Sequence, residues 1–466
     1  MSNTHKAYEK PNISRIETKL AGKAGMTSPE FSQKIRTEID GVSIDELISR
    51  FGSPLFVISE KDIRDRYKLA YEAFSERYPR FRFAWSYKTN YLKSVCALFH
   101  NLGSLAEVVS SFEYDKARNL GVPGHGIIFN GPYKPMEVLE KAALEDAMIH
   151  IDSFDEINDL EKVSRKLDKE LSVAIRVNMD TGIYPHWSRF GFNLDNGQAL
   201  DALKRIRAGK RLRVVGLHTH IGTFILDPGA YGRAVDKLMV LAAEIRKYWD
   251  EPLRYIDLGG GFPSLNRLKG IYQPPEVVIP PVEAYADAIC GAMLRNISEE
   301  PYPELILETG RFLIDQAGSL ITSVVSARNL VNGQRGYVLD AGVNLLYTST
   351  WYNFNVETDR RGKGIFEPSA LLGPLCMNID VVEESIMLPR LEKGTRVILS
   401  PVGAYNITQS MQFIHCRPAT VMIRTSGATD LIRRRETLED MEAREALPED
   451  LKAFNDTNDF SGPGNQ

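Results

Sequence analysis

The sequence has little cysteine: Cys96, Cys290, Cys376 and Cys416 are far apart, with no CxxC pair and no metal-ligand spacing. That argues against a disulfide framework and a zinc module, so free thiols and no metal site are expected. The chain also lacks an excess of either charge. Its 57 Lys and Arg stand against 61 Asp and Glu, which leaves no general attraction to nucleic acid or to an anionic membrane. No apolar stretch is read as approaching the roughly 20 residues that span a bilayer. Residues 1–23 are polar and lysine-bearing, without the apolar core of a secretory signal. A cytoplasmic protein with no nucleic-acid or membrane partner is expected.

At 466 residues the chain exceeds one compact core, so two domains are expected. Residues 1–40 read as a polar extension. Residues 41–60 read as a segment that joins a β domain, with a helix over Ile44 to Phe51 and a short strand after Pro54. Between 61 and 311, after a charged helix, apolar runs recur near 81–88, 104–110, 126–131, 147–152, 172–178, 214–222, 254–261 and 304–311. Short continuous apolar runs fit strands buried on both faces of a parallel sheet. The segments between them read as helices; Ser153-Phe-Asp-Glu156 has capping-box spacing, followed by a stripe of Ile157, Leu160, Val163 and Leu167. Eight even strand–helix units over roughly 250 residues predict an α/β fold, a (β/α)8 TIM barrel, in preference to an open doubly wound sheet. Residues 312–425 carry β-branched runs without long helices and read as a mostly antiparallel β domain. Residues 426–466 read as an acidic tail whose last dozen residues are disordered.

Chemistry in such a barrel sits at the C-terminal ends of the strands. Those ends carry Lys88, Glu107, Asn130, Asp152, Asn178, His220, Gly259 to Gly261, and Glu308 with Arg311. A lysine can form a Schiff base with an aldehyde, consecutive glycines let backbone N–H groups close on a phosphate, and a carboxylate can keep a pyridine nitrogen protonated. Together they describe a site for pyridoxal 5'-phosphate. Singly, each has a plainer reading. The glycines make a tight turn, Glu308 and Arg311 form an ion pair, and one of His218 and His220 faces the helices.

The ordered motifs Gly52-Ser-Pro-Leu-Phe-Val, Tyr87-Lys-Thr-Asn, Glu107-Val-Val-Ser, Ser188-Arg-Phe-Gly, Gly216-Leu-His-Thr-His-Ile-Gly-Thr, Asp257-Leu-Gly-Gly-Gly-Phe, Glu308-Thr-Gly-Arg, Asp340-Ala-Gly, Gly373-Pro-Leu-Cys and Gly403-Ala-Tyr resemble the fold-type III pyridoxal-phosphate decarboxylases, the diaminopimelate and ornithine decarboxylase group. The alanine-racemase-like barrel plus β domain is that family's architecture. The resemblance implies that Lys88 is the Schiff-base lysine, with Glu107 beside it near the ring. His220 would stack on the cofactor with Thr223 nearby, and Gly259, Gly260, Gly261, Arg311 and Tyr405 would bind phosphate. Glu308 would hold the pyridine nitrogen, where related racemases tend to place arginine. Arg311, Met377 and Tyr405 would meet the substrate, an amino acid that loses its α-carboxylate. Cys376 would reach the site from a partner subunit and return a proton, which implies a homodimer with shared sites.

Two departures bear on substrate. Met377 stands after the cysteine, where the family usually has an acidic residue for a distal ammonium, and Thr348 stands where diaminopimelate enzymes have a carboxylate-binding arginine. A neutral residue cannot supply that countercharge. The expectation is therefore a modified or conjugated diamino acid from a specialised, siderophore- or antibiotic-like pathway. Diaminopimelate decarboxylation, an amino-acid racemase and a non-catalytic regulator are the alternatives. Arg360, Arg361 and Lys363 could meet an acidic appendage or form a solvated basic loop.

Overall fold

Eight short apolar runs become the strands Phe81–Ser86, Leu105–Val108, Ile127–Phe129, Met148–Ile151, Leu171–Asn178, Leu212–His218, Tyr255–Asp257 and Glu304–Leu307. Each pairs in parallel with the next, and Leu305 to Leu307 pairs with Phe81 to Phe83 to close the barrel. The computed structural model describes residues 33–271, 273–297 and 300–451. The expectations for residues 1–32 and for the final dozen lie outside the described residues.

Side chains along a strand alternate between faces, so each barrel strand sends every second residue inward. The lower inward layer is apolar: Ala84, Leu105, Ile128, Ala174, Val215, Tyr255 and Ile306 form one buried cluster with Met148 against it. Outward residues pack under the helices in the main core. The helix Phe154–Leu167 shows why its sequence folds this way. Ser153 Oγ accepts the Glu156 N–H at 3.3 Å, Ile157, Leu160 and Val163 are buried, and Asp168 ends the helix in a left-handed turn at φ 46°. The Glu156 carboxylate takes the Asp152 N–H instead of closing a full capping box.

The other sheet is mostly antiparallel, as expected, with two parallel pairings. Leu55–Ser59 lies between Gly318–Asn329, antiparallel, and Ala419–Ile423, parallel, and Arg335–Leu339 runs parallel to Lys363–Leu372. A parallel neighbour needs a long crossover, and for Leu55–Ser59 the whole barrel is part of it. Thr429–Arg433 adds a further strand beside Ala419–Ile423. Ahead of the barrel, residues 33–43 are held. Arg36 N–H donates to Thr358 O at 2.9 Å, and Asp40 and Gly41, at φ 48° and 80°, turn a hairpin between Glu38–Ile39 and Val42–Ser43.

One segment, Pro275–Asn296, corrects the reading that no apolar stretch is long enough to span a bilayer. Its longer helix, Val282–Asn296, buries Tyr285, Ile289 and Met293 in the main core, beside the helix Pro228–Trp249.

Candidate active site

Two residues above the apolar layer, three after Val215 where the strand bulges, the barrel interior turns polar. Ser86, Glu107, Asn130 and His150 stand on or just past four strands, and Arg176, His218, Asp257 and Glu308 on or just past the next four, all of them buried. Above this ring opens a cavity of about 510 Å³ whose lining includes Lys88, Arg176, His220, Glu308, Arg311 and Tyr405. That volume lies within the range of small-molecule sites.

Lys88 follows the strand Phe81–Ser86, and the β domain fixes its loop. Thr408 Oγ1 donates to Lys88 O at 2.9 Å, and Tyr405 N–H donates to Thr89 O at 2.8 Å. Lys88 Nζ donates to both oxygens of Glu107, at 2.8 and 2.6 Å, and Ser86 Oγ donates to Glu107 Oε2 at 2.6 Å. Burial would lower the Lys88 pKa, but the Glu107 and Glu308 carboxylates outweigh it and raise it. Burial pushes the Glu107 carboxyl up to about 7 against the pull of Lys88.

Glu308 is not paired with Arg311. Asn130 Nδ2 donates to Glu308 Oε1 at 3.1 Å, and His218 Nε2 lies 3.4 Å from the same oxygen. Burial acts to raise its pKa, yet His218 and then Lys88 overcome this and hold Glu308 well below the ordinary carboxylate range. Asp257 moves the other way, raised by burial and by Glu308, so the pair keeps one negative charge. Both His218 and His220 face inward, which corrects the reading that one faces the helices. Residues i and i+2 of a strand share a face.

His220 accepts the Gly260 N–H on Nδ1 at 2.9 Å, which places its own proton on Nε2. Burial, ahead of all other influences, lowers its pKa to about 3, so the ring is neutral. Gly259 N–H donates to Asp257 Oδ1 at 2.8 Å. The N–H groups of Gly259 and Gly260 are thus committed within the protein, and these two glycines serve close packing. A Cβ on Gly260 would lie 2.5 Å from the Glu308 carbonyl oxygen. Gly261, at φ 98°, lines the cavity with Gly310, Thr223 and Arg311. The Arg311 guanidinium lies between the Tyr352 and Tyr405 rings, 5.0 and 4.8 Å from their centroids, and is 3.7 Å from Asp315. Its Nη1, the atom nearest Asp315, is buried and makes no hydrogen bond among the described residues.

Residues 61–315 match the family model described as the pyridoxal binding domain of pyridoxal-dependent decarboxylases. The chain belongs to the pyridoxal-dependent decarboxylase family. It is 30% identical over 413 residues to the diaminopimelate decarboxylase of Aquifex aeolicus, covering 85% of this chain and 93% of that one. With the Bacillus subtilis enzyme of the same name it shares 29% over 422 residues, 87% of this chain and 94% of that one. The crystal structure of diaminopimelate decarboxylase from M. jannaschii with L-lysine superposes with a TM-score of 0.81 at 28% identity, covering 91% and 99% of the two chains.

The decarboxylase cavity fits pyridoxal phosphate by its own chemistry. The Arg311 guanidinium, whose Nη1 makes no hydrogen bond among the described residues beyond its 3.7 Å ion contact with Asp315, lines the cavity with two glycines and Tyr405 where an anion can sit. A lysine amine and an ionised carboxylate line it too. Tyr405 is itself held at φ 66°, a backbone region that non-glycine residues rarely adopt outside sites that need them. In Gly261→Ala the new Cβ would meet Gly222 O at 2.3 Å. We expect this variant to bind pyridoxal phosphate about tenfold more weakly, corresponding to roughly 1–3 kcal/mol of local strain, as measured by titrating apoprotein with cofactor.

Cys376 does not line the cavity. It is exposed, and Met377 is half-buried, on a loop tied to Asp380, whose Oδ1 accepts Val343 N–H and whose Oδ2 accepts Leu375 N–H, at 2.8 and 2.7 Å. Thr348 is buried, its Oγ1 donating to Asn406 Oδ1 at 3.0 Å, so it takes a structural place rather than an anion-binding one. Arg360 pairs with Asp359 and Lys363 with Glu392, both at 2.5 Å, as a solvated loop would.

Two strand-end residues support the site from outside it. Asn178 donates to Phe190 O at 2.7 Å, and Asp152 lies 3.7 Å from Arg176. Sequence reasoning missed Arg176, although a charged residue inside the run Ser172-Val-Ala-Ile-Arg-Val-Asn was a signal. It also missed the aromatic walls Trp187, Phe224, Trp351 and Tyr352, which come from loops and one two-residue strand and whose spacing carries no periodicity.

Proposed function

We propose that the chain removes the α-carboxylate of a diamino acid of the diaminopimelate type, acting as a homodimer. The observation that carries the reaction class is Glu308, an ionised carboxylate at the cavity floor where a weaker electron sink would be served by arginine. The diaminopimelate decarboxylases aligned along most of the chain support the substrate class, and nothing among them points to a specialised pathway.

Bound pyridoxal phosphate supplies the sink that accepts the electron pair left when the carboxylate departs. Lys88 would hold the cofactor covalently through its amine, which Glu107, itself held by Ser86, keeps in place. Arg311, with the Gly261 N–H, would hold the phosphate, the neutral His220 ring would stand against the cofactor, and Glu308 would keep its pyridine nitrogen protonated. Cys376, on a fixed loop turned outward, would give a proton to the substrate carbon in the partner's site.

A second reading, a conjugated diamino acid, is favoured by Met377 and by the cavity wall. Glu308 is the one carboxylate among the described lining residues, and Trp187, Phe224, Trp351 and Tyr352 stand around it. CO2 release from purified, cofactor-loaded protein separates the two. Turnover of free meso-diaminopimelate within about tenfold of the best substrate is the expected result. Release from an acyl- or citryl-linked diamino acid, with free diaminopimelate about 100-fold slower, would replace the first reading with the second; either ratio is read directly as transition-state discrimination.

A further inference from the structure

Directly below Glu308 lies a histidine pair that the chemistry above leaves unused. His150 and His218 are fully buried, with ring centroids 4.8 Å apart and planes tilted by 35°. The floor of the pair is Tyr255, 5.8 Å from His150 and nearly parallel to it. Among the described residues, neither ring nitrogen of His150 has a hydrogen-bond partner, nor does His218 Nδ1. Among them the pair's polar engagement is therefore His218 Nε2, 3.4 Å from Glu308 Oε1 and 3.4 Å from Asn130 Nδ2.

Asn130 Oδ1 accepts Gly131 N–H at 2.7 Å, which turns its amide nitrogen toward Glu308. With Nε2 protonated, the amide and the His218 ring both point a proton at one ionised oxygen; with Nδ1 protonated, Asn130 Nδ2 donates to Nε2 instead. In either case Asn130 Nδ2 and His218 Nε2 stand 3.1 and 3.4 Å from Oε1, and Glu308 lines the cavity. We take the first tautomer.

We propose that His218, packed against His150, is a positioning residue that fixes the orientation and ionisation of Glu308 toward the cofactor's pyridine nitrogen. This rests on the reading that Glu308 faces that nitrogen. His150 acts as a neutral backing plate. Burial, then His218, with Lys134 and Arg176 nearby, lowers its pKa well below the usual range, so it does not compete for the proton. Around His218, burial comes first in lowering its pKa, Glu308 opposes it, and Arg176 and Lys88 add to it. Asp257 and His220 complete the titratable groups facing the pair.

The test uses cofactor-loaded Glu308→Gln, His218→Leu and His218→Gln. The readouts are the absorption bands of the bound cofactor across pH, its affinity, and kcat and KM. Glu308→Gln should alter the bands; if it does not, the reading of Glu308 itself fails. His218→Leu should lower kcat about 10- to 100-fold, the range seen when an orienting partner is lost, with KM within about threefold. Its acid limb should move to higher pH, because Glu308 loses a donor that favours its ionised form. His218→Gln, whose amide can donate to the same oxygen, should recover most of both. The proposal is overturned if Glu308→Gln alters the bands but His218→Leu moves neither limb nor bands. It is equally overturned if a folded, loaded His218→Gln is as impaired as expected for leucine, which also decides the matter should His218→Leu not fold. Stoichiometric metal in the purified protein, held by His150, His218, Asp257 and Glu308, whose ligand atoms lie within 4.8 Å of one another, would overturn the neutral pair as well.

Discussion

Lys88→Ala is expected to lower kcat by on the order of 10²–10⁴ while leaving the fold in place. Lys88 Nζ is the amine that faces the cavity, and its partner Glu107 is fully buried. Removing a cation usually strands its anion at high cost. Here Glu107 already titrates at about 7 with the lysine present, and without it the pKa rises further. At neutral pH the carboxyl then takes up a proton and remains a neutral donor in place. The melting temperature should stay within a few degrees of wild type. Reduction of the loaded protein with borohydride, followed by peptide mass spectrometry, should place the cofactor on Lys88 and find no adduct on the alanine variant. An adduct on another lysine, with activity retained, would displace Lys88 from its role.

Glu308→Ala carries the second large effect, a fall in kcat of about 10²–10³, as for removal of a preorganised electrostatic partner. It should also destabilise the fold by roughly 1–3 kcal/mol, because Asn130 and His218 lose a charged acceptor in a buried site. The folded-state pKa of Glu308 is depressed, so its stabilising contribution is present above the unfolded value of about 4.3 and is lost as pH falls toward the folded value. Urea denaturation of the two proteins should therefore differ at pH 7 and converge in acid. Equal stability at pH 7 would mean that the carboxylate is not held as described.

Much of this architecture can be read from the residues. Every barrel strand was visible as a short apolar run, since burial on both faces leaves no alternative composition. Ile44–Phe51 and its terminating Gly52, at φ 77°, were visible for local reasons. The polar ring was only half legible. Glu107, Asn130 and Glu308 stand at strand ends, but that Asn130 and His218 meet on one oxygen of Glu308 depends on closing eight strands with a fixed stagger. No local pattern encodes that. The glycine run was read as a phosphate cradle, and two of its three N–H groups proved to be engaged by His220 and Asp257. The parallel pairings of the β domain escaped because a strand's direction is set by a partner outside its own local pattern, for Leu55–Ser59 one hundreds of residues away.

The strand Leu55–Ser59 is fully buried between two partners from the far side of the barrel. During synthesis it leaves the ribosome long before either exists. About 270 residues separate it from the end of Gly318–Asn329, which at roughly 5–20 residues per second is a wait of about ten seconds to a minute. For that interval an apolar ribbon with both edges open must stay single. The barrel can close during the wait, while the sheet that carries Tyr405 and clamps the Lys88 loop can assemble only afterwards. The order of manufacture therefore leaves Lys88 unclamped until the last third of the chain has emerged, and a nascent chain stalled before Tyr405 would have a barrel whose Lys88 loop has no clamp.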